Sequence, residues 1–123
     1  MAKEKILVVD DEPLNRELAK DLLEVAGYVV FEAGDAYEAI ELANKERFNL
    51  VLMDVQLPGM DGLSAINIIK GNSMNKDMPI VALTAYAMKG DKERIESAGC
   101  DGYLTKPINT KEFAQSVAGF LRG

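Results

Sequence analysis

Histidine and tryptophan are absent from this 123-residue sequence, and cysteine occurs once. Without histidine, the chain cannot carry a Ser-His-Asp or Cys-His catalytic centre, nor a histidine-based zinc site. The single Cys100 cannot form an internal disulfide, which is typical of proteins in a reducing compartment. Any chemistry must therefore use carboxylates, lysines and hydroxyl groups.

Positive charge is also scarce. The 14 Lys and Arg residues are outnumbered by 20 Asp and Glu residues, which gives a formal net charge of -6. This excess of negative charge disfavours direct binding to nucleic acid or to an anionic membrane. No charged-then-apolar N-terminal segment and no long apolar run predicts export or membrane insertion. We therefore expect one cytoplasmic domain spanning residues 1–123, long enough to bury a hydrophobic core.

The apolar pattern predicts five strands that alternate with five helices. The predicted strands span residues 6–9, 28–31, 50–53, 80–83 and 103–104. Pro13 begins the first helix, Asp35 is the expected N-cap of the second, and Gly71 ends the third. The fourth helical pattern, which runs through Met88 to Ala98, has a thin apolar face. Such alternation favours a parallel sheet covered by helices on both faces, although the pattern leaves the strand order open.

Acids, a hydroxyl and a lysine stand where the predicted strands end. Asp10 and Asp11 follow the first strand, Asp54 follows the third, Thr84 follows the fourth, and Lys106 follows the fifth. In a doubly wound sheet, ligands bind beyond the carboxyl ends of the strands. We therefore expect these five side chains to share one edge of the sheet.

These residues favour phosphoryl chemistry that depends on magnesium. Two like charges about 4 Å apart cost roughly 4 kcal/mol at an effective dielectric of about 20, so three clustered carboxylates need cations. Mg2+ prefers oxygen ligands and leaves positions for phosphate, and Lys106 adds a further positive charge. Asp54 is the best candidate nucleophile because it stands alone, whereas Asp10 and Asp11 are paired like metal ligands. Lys106 and the Thr84 hydroxyl would stabilise the phosphoryl group.

Each of these features alone has a simpler structural explanation. Asp10 and Asp11 could cap a helix, Thr84 could bond to the backbone, Lys106 could be solvated, and Tyr103 could fill the core. Their occurrence at four strand ends, in matching order, favours a shared site.

Four motifs resemble the receiver domain of two-component response regulators. They are VVDDE at residues 8–12, LMDVQLPGMDG at 52–62, LTAYAMKGD at 83–91 and YLTKP at 103–107. The likeness covers nearly the whole chain and is strongest to receivers of the single-domain type. It implies an α/β fold of the flavodoxin-like (CheY-like) kind, a doubly wound five-stranded parallel sheet in the order 2-1-3-4-5 with five helices.

The resemblance implies a role for each site residue. Asp54 would be the phosphoacceptor, and Asp54 and Asp11 would contribute carboxylates to Mg2+. Gln56 would bind the ion through its backbone carbonyl, and Asp10 would act largely through water. Lys106 would pair with Asp54 or with its phosphate.

The resemblance also implies how phosphorylation would be reported. Thr84 and Tyr103 would form the switch, with Thr84 moving towards the phosphate and Tyr103 turning inward. The small Ala85 would leave room for the phosphoryl group, and the Lys106-Pro107 peptide would be cis.

Since this chain has no histidine, it must receive the phosphoryl group from another protein or from a small donor. The resemblance implies that the partner is a histidine kinase or a histidine phosphotransfer protein. Leu14, Asn15 and Leu18 could dock the donor's phosphohistidine helix. A downstream protein would bind a surface of the fourth helix and fifth strand, although core packing explains Ile95 equally well. That surface comprises Tyr86, Met88, Ile95 and Tyr103.

Other functions stay open at this point. A magnesium-dependent phosphatase with an Asp nucleophile typically carries a second Asp two residues later, but Gln56 stands there and cannot transfer a proton. In a flavodoxin-like binder of FMN, the acids at the strand ends would repel the FMN phosphate, and no tryptophan is present to stack on the flavin. We expect no turnover of an external substrate. Within the receiver interpretation, the domain could relay phosphate or act as an allosteric adaptor. It could also be excised from a hybrid kinase, which its DDEPLNR start at 10–16 also resembles.

Overall fold

The computed structural model describes residues 4–57, 59–60, 62–72, 77–85, 93, 95, 97–106 and 108–122. The strands are β1 (Lys5–Val9), β2 (Val29–Ala33), β3 (Leu50–Asp54), β4 (Ile80–Thr84) and β5 (Gly102–Thr105). The helices are α1 (Pro13–Val25), α2 (Ala36–Lys45), α3 (Gly62–Gly71) and α4 (Phe113–Arg122).

All five strands are parallel and lie in the order β2-β1-β3-β4-β5. The chain runs outward from β1 to β2 and then returns to the other side of β1 to form β3. The strand order therefore reverses between β1 and β3, where ligands of such sheets bind. The flavodoxin-like fold and its order are confirmed.

The predicted helix ends agree with the structure. Pro13 occupies the first turn of α1, where its missing N–H is tolerated. The Asp35 side chain accepts a hydrogen bond of 2.8 Å from the Glu38 N–H and caps α2. Gly27, just after α1, has a φ of 100°, which suits glycine at the end of a helix.

Four helices are described in full. Most of the predicted helix between β4 and β5 lies outside the described residues, although Glu93, Ile95 and Ser97 are helical. Among the helices of the described residues, none is both long and apolar enough to cross a membrane.

The sheet separates two hydrophobic cores. Successive residues of β1 alternate between them, so Ile6 and Val8 contribute to one core while Leu7 and Val9 contribute to the other. The first core lies against α1 and α4, and the second lies against α2 and α3. Every residue of β3 and β4 is buried. Full burial of one such Leu or Ile side chain contributes roughly 1.5–3 kcal/mol, so the central strands are firmly fixed.

Candidate functional site

The candidate site lies at the carboxyl edge of the sheet, where the strand order reverses. Val9 pairs with Met53, so the next residues, Asp10 just past β1 and Asp54 at the end of β3, lie side by side. Both acids are almost completely buried, at 1% and 4% exposed, whereas Asp11 is exposed. Asp10, Asp11 and Asp54 each offer a carboxylate oxygen, and these three oxygens lie within 4.8 Å of one another.

Lys106 brings a positive charge to these acids. Its backbone N–H donates a 2.8 Å hydrogen bond to the Thr84 carbonyl, which extends the pairing of β4 with β5 by one residue. Its side chain reaches past the end of β4. The Nζ atom lies 2.7 Å from Asp54 Oδ2 and 3.1 Å from Asp10 Oδ2. One ammonium group therefore serves two buried carboxylates.

The carboxylate oxygens of Asp10 and Asp54 differ in their hydrogen-bond partners. Asp10 Oδ1 accepts a 2.9 Å hydrogen bond from the Glu12 N–H, and Asp54 Oδ1 accepts one of 3.0 Å from the Gln56 N–H. Asp10 Oδ2 is close to the lysine but makes no well-aligned hydrogen bond within the described part of the chain. A buried carboxylate oxygen left in this state is costly and suits an added cation.

The charge balance at the site also fits a divalent cation. The three acids contribute three negative charges and Lys106 contributes one positive charge, which leaves an excess of two negative charges. Oxygen ligands at a partly open site match the preference of Mg2+. The residues present therefore fit a magnesium ion.

Burial and pairing act in opposite directions on the ionisation of the site. Burial raises the pKa of the Asp54 carboxyl, and the hydrogen bonds from Lys106 and from the Gln56 N–H only partly offset this effect. Burial alone would lower the pKa of Lys106, but the hydrogen bond to Asp54 and the negative charge of the nearby Asp10 raise that pKa overall. The lysine is therefore held in its charged form between the acids.

An open cleft lies beside the lysine. It has a volume of about 210 Å³ and is lined by Asn15, Ala85, Lys106 and Ile108. Thr84, at the end of β4, is 4% exposed, and the adjacent Ala85 is exposed. The cleft gives an incoming group access to the lysine and its acids.

The residues expected to contact partners occupy different environments. Leu14 and Leu18 on α1 are 74% and 37% exposed, so they are open to a partner. Tyr103 is partly buried against the core of α2 and α3. Ile95 is 2% exposed and belongs to that same core. Because packing already covers this side chain, a partner cannot reach Ile95 in this conformation. The prediction that Ile95 belongs to the partner surface is therefore wrong for this conformation.

Three other sequence predictions fall on Tyr86, Met88 and the Lys106-Pro107 peptide. Tyr86, Met88 and Pro107 lie outside the described residues.

Two contacts at the site were not predicted from the sequence. Arg16 on α1 donates a 2.8 Å hydrogen bond from Nη1 to the Asp10 carbonyl. Gly62, the first residue of α3, lies so close to β3 that an added Cβ would overlap the Asp54 carbonyl oxygen. No local pattern in the sequence marks either contact.

Comparisons with known proteins agree with this geometry. The response regulator receiver domain family matches residues 6–118. The polar-differentiation response regulator DivK of Brucella anthropi is 39% identical over 116 residues, which cover 94% of each chain. DivK of Brucella ovis is 38% identical over the same length.

Solved structures of related proteins have the same fold as this chain. Chemotaxis protein CheY4 of Vibrio cholerae superposes with a TM-score of 0.93 at 32% identity, covering 97% of this chain and 99% of that chain. The receiver domain of a sensor histidine kinase from Pseudomonas aeruginosa PAO1 has a TM-score of 0.91 at 34% identity, covering 99% and 100%. That structure has a magnesium ion coordinated in its active site cleft. The present chain belongs to the response regulator receiver domain family.

Proposed function

We propose that Asp54 accepts a phosphoryl group in a reaction that needs Mg2+, and that the chain thereby signals in a two-component system. The donor would be a histidine kinase or a histidine phosphotransfer protein. One observation supports this proposal most directly. Lys106 Nζ lies 2.7 Å from the buried Asp54 carboxylate and 3.1 Å from that of Asp10, at the edge where three carboxylates converge.

The transfer forms one bond and breaks another. A carboxylate oxygen of Asp54 attacks the phosphorus atom, and the bond from phosphorus to the donor nitrogen breaks, with its electron pair remaining on the donor. The product is a mixed anhydride on Asp54. No proton leaves Asp54, because the attacking group is already a carboxylate.

Four residues would hold the metal ion. Asp11 and Asp54 would do so through their carboxylates, Gln56 through its backbone carbonyl, and Asp10 largely through water. When bound, Mg2+ supplies positive charge for the phosphoryl oxygens. The Pseudomonas receiver that contains magnesium is 34% identical to this chain and supports the same choice of ion.

The other residues act on the phosphoryl group directly. Lys106 is held in its charged form and can follow the negative charge from the Asp54 carboxylate to the phosphoryl oxygens. Thr84 would donate a hydrogen bond to the same oxygens, and Ala85, which lines the cleft, leaves space for them. Such preorganised charges suit the loose transition state of phosphoryl transfer.

A conformational change in β4 and β5 would signal phosphorylation to a partner. Thr84 would move towards the phosphoryl group, and Tyr103 would turn inward to fill the space behind it. These residues belong to neighbouring strands, where Ala82 pairs with Tyr103 and Thr84 pairs with Thr105. A local change of charge would therefore bias a surface at the edge of the sheet.

The test compares intact masses after incubation with acetyl phosphate. We expect one added phosphoryl group when Mg2+ is present and none after its removal by chelation. Asp54→Asn should abolish the adduct. Asp101→Asn is the matched control, because Asp101 also pairs with a lysine, at 2.9 Å from Lys70, but lies away from the acids. It should be phosphorylated like the unmodified protein.

A second measurement makes a missing adduct informative. If the adduct hydrolyses quickly, inorganic phosphate should be released from acetyl phosphate at a rate that Asp54→Asn abolishes. An adduct on the Asn variant, or neither adduct nor release in a protein that binds Mg2+, would refute the proposal. Turnover of a stable phosphate monoester would instead favour a phosphatase, although Gln56 offers no acid to protonate the leaving group.

A further inference from the structure

Arg16 connects three elements next to the acids. It lies in the second turn of α1, and its Nη1 donates a 2.8 Å hydrogen bond to the Asp10 carbonyl. Its Nε lies 3.4 Å from Glu32 Oε1 on β2. The Arg16 side chain is 23% exposed, so solvent only partly competes for these contacts.

The Asp10 carbonyl belongs to the peptide that joins Asp10 to Asp11. The orientation of this peptide decides where the Asp11 carboxylate lies relative to that of Asp10. Two other bonds restrain the turn, from the Asp10 N–H to the Ala33 carbonyl at 3.2 Å and from the Glu12 N–H to Asp10 Oδ1 at 2.9 Å. Neither of them uses the carbonyl of the Asp10-Asp11 peptide.

We infer that Arg16 is a positioning residue, which fixes the Asp10-Asp11 peptide so that both carboxylates point towards one cation. Glu32 in turn fixes the guanidinium. Arginine suits this role because its planar group presents several donors in fixed directions, whereas the lysine ammonium acts as a single point charge. The inference rests on the proposed function in so far as the cation is Mg2+.

We assign this role to geometry and not to charge, and a second cation on the same helix separates the two. Glu32 lies beside the guanidinium and also 3.7 Å from Lys20 Nζ, so Arg16 and Lys20 share one carboxylate. Lys20→Met is therefore the matched control for Arg16→Met. Arg16 and Lys20 are both cations of α1 that pair with Glu32, and each variant removes one of them. Only Arg16 contacts the Asp10 carbonyl.

The experiment uses two readouts on the full chain. The first is Mg2+ affinity by titration calorimetry. We expect Arg16→Met to weaken binding at least about tenfold, as for other residues that orient metal ligands, while Lys20→Met stays within about twofold of the unmodified protein. Arg16→Lys should recover only part of the loss.

The second readout needs no metal. Amide hydrogen exchange at Glu12 should be faster in Arg16→Met than in Lys20→Met in the metal-free protein, because the turn loses one restraint. Equal exchange and equal affinity in the two variants would overturn the inference. If Arg16→Met does not fold, Glu32→Gln tests the same restraint, and an unchanged Glu12 exchange rate there would also overturn it. If the unmodified protein binds no Mg2+, the proposed function fails, while the exchange comparison still decides the role of Arg16.

Discussion

Lys106→Met would remove the cation shared by two buried acids. The methionine side chain fills most of the space of the lysine stem but carries no charge. Asp54 Oδ2 and Asp10 Oδ2, which lie 2.7 Å and 3.1 Å from Nζ, would then face each other without it. In protein free of divalent ions, we expect a large loss in the free energy of unfolding.

The magnitude follows from the burial of the acids. Removing one partner of a buried ion pair costs about 3–5 kcal/mol. The lysine side chain is 18% exposed and the Asp10 and Asp54 side chains are 1% and 5% exposed. This partial access of water to the lysine favours the lower end of the range, about 3 kcal/mol.

Lys70→Met is a matched control for this measurement. Lys70 is also 18% exposed and lies 2.9 Å from its carboxylate partner, but that partner, Asp101, is 47% exposed. An ion pair with an exposed member contributes at most about 1 kcal/mol. The two lysines therefore differ in the burial of their partners and not in their own.

Urea denaturation without divalent ions provides the assay. With a slope of roughly 1–3 kcal/mol per M urea, the midpoint should fall by about 1–3 M for Lys106→Met and by clearly less for Lys70→Met. In an Asp54→Asn background, Lys106→Met should cost at least about 1 kcal/mol less than in the unmodified chain. Equal losses for the two lysines, or an equal cost in both backgrounds, would refute the reasoning.

Three further predictions concern single positions. Asp35→Ala removes the cap of α2 and should cost about 1 kcal/mol in urea denaturation, while phosphorylation by acetyl phosphate stays unchanged. Gly62→Ala would press a methyl group against the Asp54 carbonyl and should cost about 1–3 kcal/mol and slow phosphorylation. Its control is Gly71→Ala in the same helix, where an added Cβ meets nothing within 4 Å and stability should be equal or slightly higher. Burial raises the pKa of the Cys100 thiol to about 11, so its reactive thiolate should be about a hundredfold scarcer near neutral pH than for a thiol at the ordinary pKa of 9.0. Its alkylation by iodoacetamide should be correspondingly slow and should accelerate as the pH rises towards 11, and a rate equal to that of free cysteine would contradict the burial.

The strands were predictable because their signal is local. Continuous apolar runs such as residues 50–53 are required when both faces of a sheet are covered, and Asp54 marks the end of β3. The order of the strands is not local information. It followed from the resemblance to receiver domains, and the structure confirms it.

Only the site residues that lie at strand ends were predictable from the sequence. Asp10, Asp54 and Lys106 each follow or end a strand, so the topology alone brings them to one edge. Arg16 reaches this edge from a helix and depends on Glu32, which a different strand supplies. Such a contact depends on how α1 packs across β1 and β2, and no spacing in the sequence encodes it.

Ile95 shows the same limit from the opposite direction. Its position in a weak helical pattern left both an accessible surface and core packing open, and the structure shows the side chain 2% exposed in the core with α2 and α3. Whether an apolar side chain on a helix faces the sheet or a partner depends on the rotation of the helix, which a short pattern fixes poorly.

The wide spacing of the site along the chain has a consequence for its synthesis. Lys106 follows its partner Asp54 by 52 residues, and it leaves the ribosome last among the charged groups of the site. At about 5–20 residues per second, roughly 3–10 s separate the emergence of Asp54 from that of Lys106. Any pairing of β1 with β3 in that interval brings like charges together at neighbouring strand ends. Lys106 follows β5 and offsets only part of this repulsion, so the ion pairs that link the ends of β1, β3 and β5 cannot form before the last strand has joined the sheet.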